Sequence, residues 1–350
     1  MNAHSLIADE TNRKILTVAE DQLQGFHRDP ILEISRRVEL PPQEVIERLR
    51  VMMRAGVIRR VRQTLVNLTS GALAAWKISP SRLDAAFDFL SKDDPFSGHV
   101  VIRRADSGFD GEAAQYRLWT TLQVPQGFSL EEHCEALRGR IGAEEVRLMP
   151  AQGVFALGVG HVRRETLAAD AKADAPVMMR ERKVVPLDEL EWRVVKALRR
   201  EFSAEEIRLD LWRQRAREAD LDFETFCKVA EQLAVKDCIG RFSVSLEHSK
   251  LVPCNGLFLW AAAAGREVET GGEVGRFYAL THCYWRRNGP DGFNIMAMAH
   301  GKNEESVLQR KAAIDEHLKD LGIPIARTAV FWSERSSIKP SAIEPERMFI

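Results

Sequence analysis

The chain has 350 residues, 45% hydrophobic and 7% aromatic, a composition that suits two to four small packed domains. With 50 basic and 51 acidic residues the formal net charge is −1, which leaves no global pull toward nucleic acid or an anionic membrane. Cys134, Cys227, Cys238, Cys254 and Cys283 are scattered without a C-x-x-C pair, arguing against a zinc or iron–sulfur site and for a reducing cytoplasm. The longest apolar run, residues 257–264, is too short to cross a bilayer, no signal peptide is evident at the start, and no Gly-rich phosphate loop is present.

In chain order, residues 13–24 read as a helix with Ile15, Leu16, Ala19 and Leu23 on one side. Asp29-Pro30 starts a second helix as cap and first-turn proline, and its inner face is Ile31, Ile34 and Val38. Pro41-Pro42 opens a third, carrying Val45, Leu49 and Met52, which Gly56 stops before a strand begins at Val57. Three short helices and a strand hairpin predict a winged helix-turn-helix. Strands are expected at 72–78, 99–103, 116–124, 146–148 and 154–162, with helices at 81–91 and 130–141. The order β-α-β-β-α-β is that of a ferredoxin-like fold.

The pattern then repeats. Asp29 and Asp210, Leu40 and Leu221, and Ile58 and Ile239 are each 181 apart; His99 and His282, like Arg103 and Arg286, are 183 apart, and Phe155 and Phe331 are 176 apart. A near-constant offset over half a chain indicates internal duplication, here too long for a solenoid unit. The predicted α+β architecture is two winged-helix domains (1–68, 187–248) and two ferredoxin-like domains (69–163, 249–337), with a linker at 164–186 and a tail at 338–350. They would form a pseudo-dimer within one chain, and that chain could dimerise further.

The first helix-turn-helix is rich in Arg36, Arg37, Arg48, Arg50, Arg54, Arg59, Arg60 and Arg62, but the third helix of the second carries Glu224, Lys228, Glu231 and Lys236 in balance. A symmetric operator reader needs two equivalent helices, so this asymmetry argues against specific DNA binding.

The chemistry concentrates in Thr281-His282-Cys283-Tyr284-Trp285-Arg286 and Phe293-Asn294-Ile295-Met296-Ala297-Met298-Ala299-His300. As strands of a hairpin, they put His282, Tyr284 and Arg286 on one face, and Asn294, Met296, Met298 and His300 together on one face of the partner. Polar groups on an otherwise apolar hairpin call for a partner or ligand, or else are ordinary interface residues. His161, His248 and His317 read as surface or core histidines.

The pattern His-x-Tyr-x-Arg, a Pro290-Asp291 turn, Asn294 and Met298-Ala299-His300-Gly301 resembles the siroheme decarboxylases, Lrp/AsnC-like proteins of haem d1 and alternative haem synthesis. The helix Val45-x-x-Arg48-Leu49-x-x-Met52 with Gly56-Val57-Ile58 resembles the Lrp/AsnC pattern too, and the likeness spans residues 13–332. It implies a lyase that removes carbon dioxide from two siroheme acetate side chains with siroheme as substrate, no cofactor required and no metal site. It assigns proton donation to His282 and His300, a supporting hydrogen bond to Tyr284, carboxylate binding to Arg286 and Asn294, and packing on the macrocycle to Met296 and Met298. His99, Arg103 and Arg117 of the first half could join across the two halves.

The sequence departs from the family at three places. Val101 and Arg117 replace a tyrosine and an asparagine in the first half, and Pro290-Asp291-Gly292-Phe293-Asn294 is one residue shorter than the family turn and lacks its Trp-Pro. Two other readings stay open: a tetrapyrrole- or haem-binding protein without the reaction, with His300 as an axial ligand, and an Lrp/AsnC-type transcription regulator.

Overall fold

The structure, a computed structural model, describes residues 3–125, 127–158, 160–164, 167–247 and 253–339. The chain begins with helices α1 (Ala3–Ala8) and α2 (Glu10–Ala19), strand β1 (Leu23–Gln24), helices α3 (Pro30–Val38) and α4 (Pro42–Arg54), and strand β2 (Ile58–Leu65). Next come β3 (Ser70–Lys77), α5 (Pro80–Lys92), β4 (Ser97–Ala105), β5 (Tyr116–Val124), α6 (Leu130–Ile141) and β6 (Glu145–Leu157). Short α7 (His161–Arg164) and β7 (Arg180–Glu181) precede α8 (Glu189–Arg199), α9 (Trp212–Glu218), α10 (Phe223–Val235) and β8 (Ile239–Leu246). The chain continues with β9 (Cys254–Ala262), α11 (Glu267–Gly275), β10 (Leu280–Arg286), β11 (Ile295–Gly301), α12 (Glu304–Asp320) and β12 (Ile325–Ile338). Among the described residues no helix is long and apolar enough to cross a membrane.

Contacts divide the chain into two compact units that interleave along the sequence. One comprises residues 1–68, 159–166 and 184–251; the other comprises 69–158, 167–183 and 252–350.

The first unit gathers α1–α4 and α8–α10 around one core, including Ile15, Leu49, Met52, Trp212, Phe226 and Phe242. Its helices start where capping predicts: Asp29 accepts from the Leu32 N–H and Asp222 from the Thr225 N–H. Gly56, at φ +67°, takes the left-handed turn that lets the chain leave α4. The strand hairpin expected within the first module is not what forms. β2 pairs antiparallel with β8 of the second repeat, with Val61 opposite Val244. Each strand thereby buries apolar side chains against the other repeat, a non-local pairing that local periodicity does not encode.

The second unit holds two β-α-β-β-α-β runs whose strands form one sheet, in the order β10-β11-β9-β12-β4-β5-β3-β6-β7. β10 also pairs with β6, so eight strands close into an antiparallel barrel from which β7 extends on β6. Closure removes the exposed edges an open sheet would present. Within each run the ladders match. β4–β5, β5–β3 and β3–β6 correspond to β10–β11, β11–β9 and β9–β12, and β12–β4 and β6–β10 join the two runs.

Side-chain alternation then sorts the barrel into layers. Outside the barrel, Trp76 and Leu118 pack against Phe87 of α5 and Leu137 of α6, while Phe258, Trp260 and Cys283 share a second outer core with Val274 of α11 and Ile314 of α12. The interior core contains Ala75, Trp119, Met149, Leu257, Leu259, Phe293, Met296 and Phe331.

Several local expectations differ from the structure: the helix expected over 13–24 ends at Ala19, with β1 at Leu23–Gln24, and the strands expected at 146–148 and 154–162 run together as β6. The strand expected at 154–162 ends at Leu157, and residues 161–164 turn into α7. The segment expected as a linker is docked on the sheet unit: Val177 N–H donates to Gly272 O (3.0 Å), Ala173 N–H to Arg276 O (3.0 Å), and β7 adds to β6. Its mixture of alanines and charges hides a strand of two residues, too short for any period. His248 and the tail from residue 340 lie outside the described residues.

Candidate functional site

The site is built on the β10–β11 hairpin of the sheet unit. Cys283 and Trp285 turn outward beneath the helices, so His282, Tyr284 and Arg286 take the opposite, interior side. On β11, Ile295, Ala297 and Ala299 pack outward, and Met296, Met298 and His300 turn in. Register sets His282 opposite Met298 and Tyr284 opposite Met296. The His282 and Tyr284 rings lie 6.2 Å apart and 17° from parallel, and the Arg286 guanidinium sits over the Tyr284 ring at 4.6 Å. His282 Nδ1 is 3.0 Å from Thr281 Oγ1. The His300 carbonyl accepts from Arg310, and both histidine side chains are half-buried.

Two guanidiniums dominate the electrostatics. Arg286 is 8% exposed; its Nη1 donates to Met149 O (2.8 Å) and its Nε has no partner. Arg103, from β4 of the first repeat, is 5% exposed and reaches toward the hairpin: its Nη1 donates to Ser333 Oγ (3.0 Å), its Nη2 lies 3.8 Å from Met298 Sδ, and its Nε is likewise unpartnered. Burial lowers Arg103 from 12.5 to about 9 and Arg286 to about 10, with Arg182 adding repulsion at Arg286. Guanidiniums keep their charge at neutral pH, so these values measure a cost borne by the fold rather than a titration. Among the described residues neither forms an ion pair with a carboxylate. A buried cation left in this state suits an anionic ligand.

Other expected residues are engaged elsewhere. Asn294 was expected to grip a carboxylate; instead its Oδ1 accepts from Ala262 N–H (2.8 Å) and its Nδ2 donates to Ala262 O (2.9 Å). The amide satisfies a stretch of β9 backbone next to the turn, which fixes its orientation and leaves one N–H of its two uncommitted. Arg117 donates to Arg103 O (2.6 Å) and pairs with Glu334 (2.6 Å), so its charge is already compensated. Met296 is 1% exposed and belongs to the interior packing. His99 Nε2 is 2.8 Å from Ser336 Oγ on β12. His317 pairs with Glu273 at 2.7 Å in the outer helical layer, away from the interior face.

Sequence reasoning missed what closes the hairpin end of the barrel. Asp291, at φ +54°, accepts from Ala113 N–H (2.7 Å) and from Arg327 Nη1 (2.8 Å), clipping the turn of this hairpin to the β4–β5 loop. Behind the clip, Phe109 lies 5.9 Å from both Phe293 and Phe331. The only signal in the sequence was the turn chemistry at 288–292, which does not say what the carboxylate will meet.

Residues 68–155 and 253–327, which span most of both runs, each match the family model described as the AsnC-like ligand binding domain. A siroheme decarboxylase of Hydrogenobacter thermophilus is 22% identical over 300 residues, covering 84% of each chain. The siroheme decarboxylase NirDL subunit of Paracoccus pantotrophus is 25% identical over 305 residues, 82% of this chain and 86% of that one. The chain is similar to siroheme decarboxylases over most of its length. The crystal structure of the siroheme decarboxylase NirDL superposes with a TM-score of 0.67 at 17% identity, over 97% of this chain and 96% of that one. A second NirDL structure, in co-complex with an iron-uroporphyrin III analogue, gives 0.65 at 18% identity over 97% of both. These likenesses establish a shared mixed α/β fold along nearly the whole length, and the AsnC-like matches fall on the barrel that carries the hairpin.

Proposed function

We propose that this protein is a carboxy-lyase of the siroheme decarboxylase type, converting siroheme acetate side chains to methyl groups. The observation that carries the reading is the pair of buried, carboxylate-free guanidiniums, Arg103 and Arg286, on the same interior face as His282 and His300. Siroheme carries eight carboxylates, and a guanidinium binds a carboxylate in bidentate fashion without losing its charge. The chain's relatives bear the name siroheme decarboxylase, and one of them has been crystallised with an iron-uroporphyrin III analogue.

In each round the bond between the carboxylate carbon and the methylene carbon breaks, carbon dioxide leaves, and the electron pair passes into the protonated macrocycle. A proton delivered to the methylene carbon, as the ring gives back its own, completes the methyl group, so each carbon dioxide lost consumes one proton and no oxidant enters. Histidine is matched to such proton transfers near neutral pH, which assigns His282 and His300 as donors. Tyr284, between His282 and Arg286, orients the pair, Met298 packs on the macrocycle, and Arg103 and Arg286 hold carboxylates. Asn294, Arg117 and Met296 support the hairpin, and His99 is peripheral.

The helical unit reads as a pair of helix-turn-helix modules kept as scaffold, and the two repeats as a fused pseudo-dimer. Ion pairs within that unit support the reading without DNA: Arg36 and Arg37 meet Glu33, Arg48 meets Glu44 and Asp9, and Arg54 meets Glu205. On α10, Glu224 and Glu231 bind Arg28. Anaerobic incubation with siroheme and mass analysis of the recovered pigment tests the function. Tight binding without mass loss would favour a tetrapyrrole-binding protein instead.

A further inference from the structure

Among the described residues strand β7 has no counterpart in the other repeat, where β12 is flanked by β9 and β4 alone. Its register places it one strand away from the functional hairpin, with β6 between them. Arg180 is opposite Val154, Val154 opposite Tyr284, Tyr284 opposite Met296, and Met296 opposite Leu259. Side chains in one such row leave the sheet on the same face, and Met296 and Leu259 belong to the interior core. The neighbouring row runs Glu181, Gly153, Trp285, and Trp285 packs in the outer layer. Met179 packs there too, its Sδ only 2.3 Å from where a Cβ on Gly153 would stand. Alternation therefore sets Arg180 on the face of Tyr284 and turns Glu181 away, and Arg182 follows immediately after the strand.

Arg180 is exposed and Arg182 half-buried, and among the described residues neither guanidinium has a hydrogen bond or an ion pair. Arg182 is near enough to Arg286 for its charge to be felt there. Two unpaired cations held side by side beside a buried third repel one another, and the fold gains no salt bridge in return.

We propose that Arg180 and Arg182 form an outer carboxylate subsite, binding acidic side chains of the ligand that Arg103 and Arg286 do not reach. This rests on the tetrapyrrole reading of the site, since a ligand with carboxylates all round its rim needs cations on more than one side. The segment joining the two repeats thereby becomes part of the site, and its one-sided placement makes the β10–β11 half the ligand-binding half.

The test is an absorbance titration with iron uroporphyrin III, an octacarboxylate, across a range of salt. The Arg180→Gln/Arg182→Gln double variant should raise Kd roughly tenfold at low salt. It should flatten the salt dependence and converge with the wild type near ~1 M, where the Debye length is only about 3 Å. A double lysine variant should keep most of the affinity, and melting temperatures should be unchanged because neither arginine has a partner in the fold. A double glutamine variant with wild-type Kd and salt dependence overturns the subsite and leaves the tetrapyrrole reading standing. A wild type that takes up no porphyrin sinks both.

Discussion

Replacing Arg103 with methionine should make the ligand-free protein more stable and the ligand-bound protein weaker. The fall from 12.5 to about 9 corresponds to a cost on the order of 5 kcal/mol at ~1.36 kcal/mol per pH unit. Methionine removes that cost and forfeits the bond to Ser333 Oγ, worth about 1 kcal/mol. It also leaves a hydroxyl to rehydrate and fits the site imperfectly. Exchanges of buried charge for apolar side chains have gained about 1–4 kcal/mol, so a net gain of roughly 1–3 kcal/mol is expected. For a body the size of the sheet unit this raises Tm by about 2–4 °C per kcal/mol. The assay is calorimetry without ligand, following the two units as separate transitions, beside a porphyrin titration. Loss of one charge-assisted carboxylate contact, about 1.5–3 kcal/mol, should weaken binding at least tenfold. An Arg103→Met protein that melts lower without ligand yet binds with wild-type affinity would refute the reasoning, because Arg103 would then be serving the fold.

His282→Ala and His300→Ala should each slow decarboxylation by about 10²–10⁴-fold, the usual worth of general acid catalysis, while His99→Ala does far less. Full turnover by the His282→Ala/His300→Ala double variant would end the assignment. Arg286→Ala should act mainly through KM, because its contact is made in the ground state as well, and an unchanged KM would count against it. In the outer layer burial opposes ionisation of Glu273, but bonds from His317 and Arg276 outweigh it and hold the carboxylate below its ordinary 4.5. Its folded value is depressed, so the stability it adds is present above the ordinary value and lost as pH falls through the lower folded one. Glu273→Gln should therefore cost stability at pH 7 and flatten the acid limb in urea titrations; an acid limb identical to wild type would contradict this. Footprinting at about 0.15 M salt should reveal no protected operator.

What was legible in the sequence was local. The alternation of His282, Tyr284 and Arg286 against Cys283 and Trp285 follows from a period of two, and the helix starts at Asp29-Pro30 follow from capping. The repeat offsets foresaw two runs of equivalent elements. What was illegible depends on partners far away in sequence. β2 finds β8, β6 closes the barrel on β10, and Arg103 reaches Met298 only because two distant strands share one interior. The backbone bonds of Asn294 were hidden for the same reason, since Ala262, which engages its amide, lies 32 residues away. β7 escaped because two residues carry no period, and its meaning lies entirely in the row it joins.

The most direct measurement is anaerobic incubation of the wild-type protein with siroheme, followed by mass spectrometry of the extracted pigment. The account predicts successive loss of two molecules of carbon dioxide at constant iron content, with no added oxidant or cofactor. Siroheme bound tightly and recovered at its original mass would contradict it.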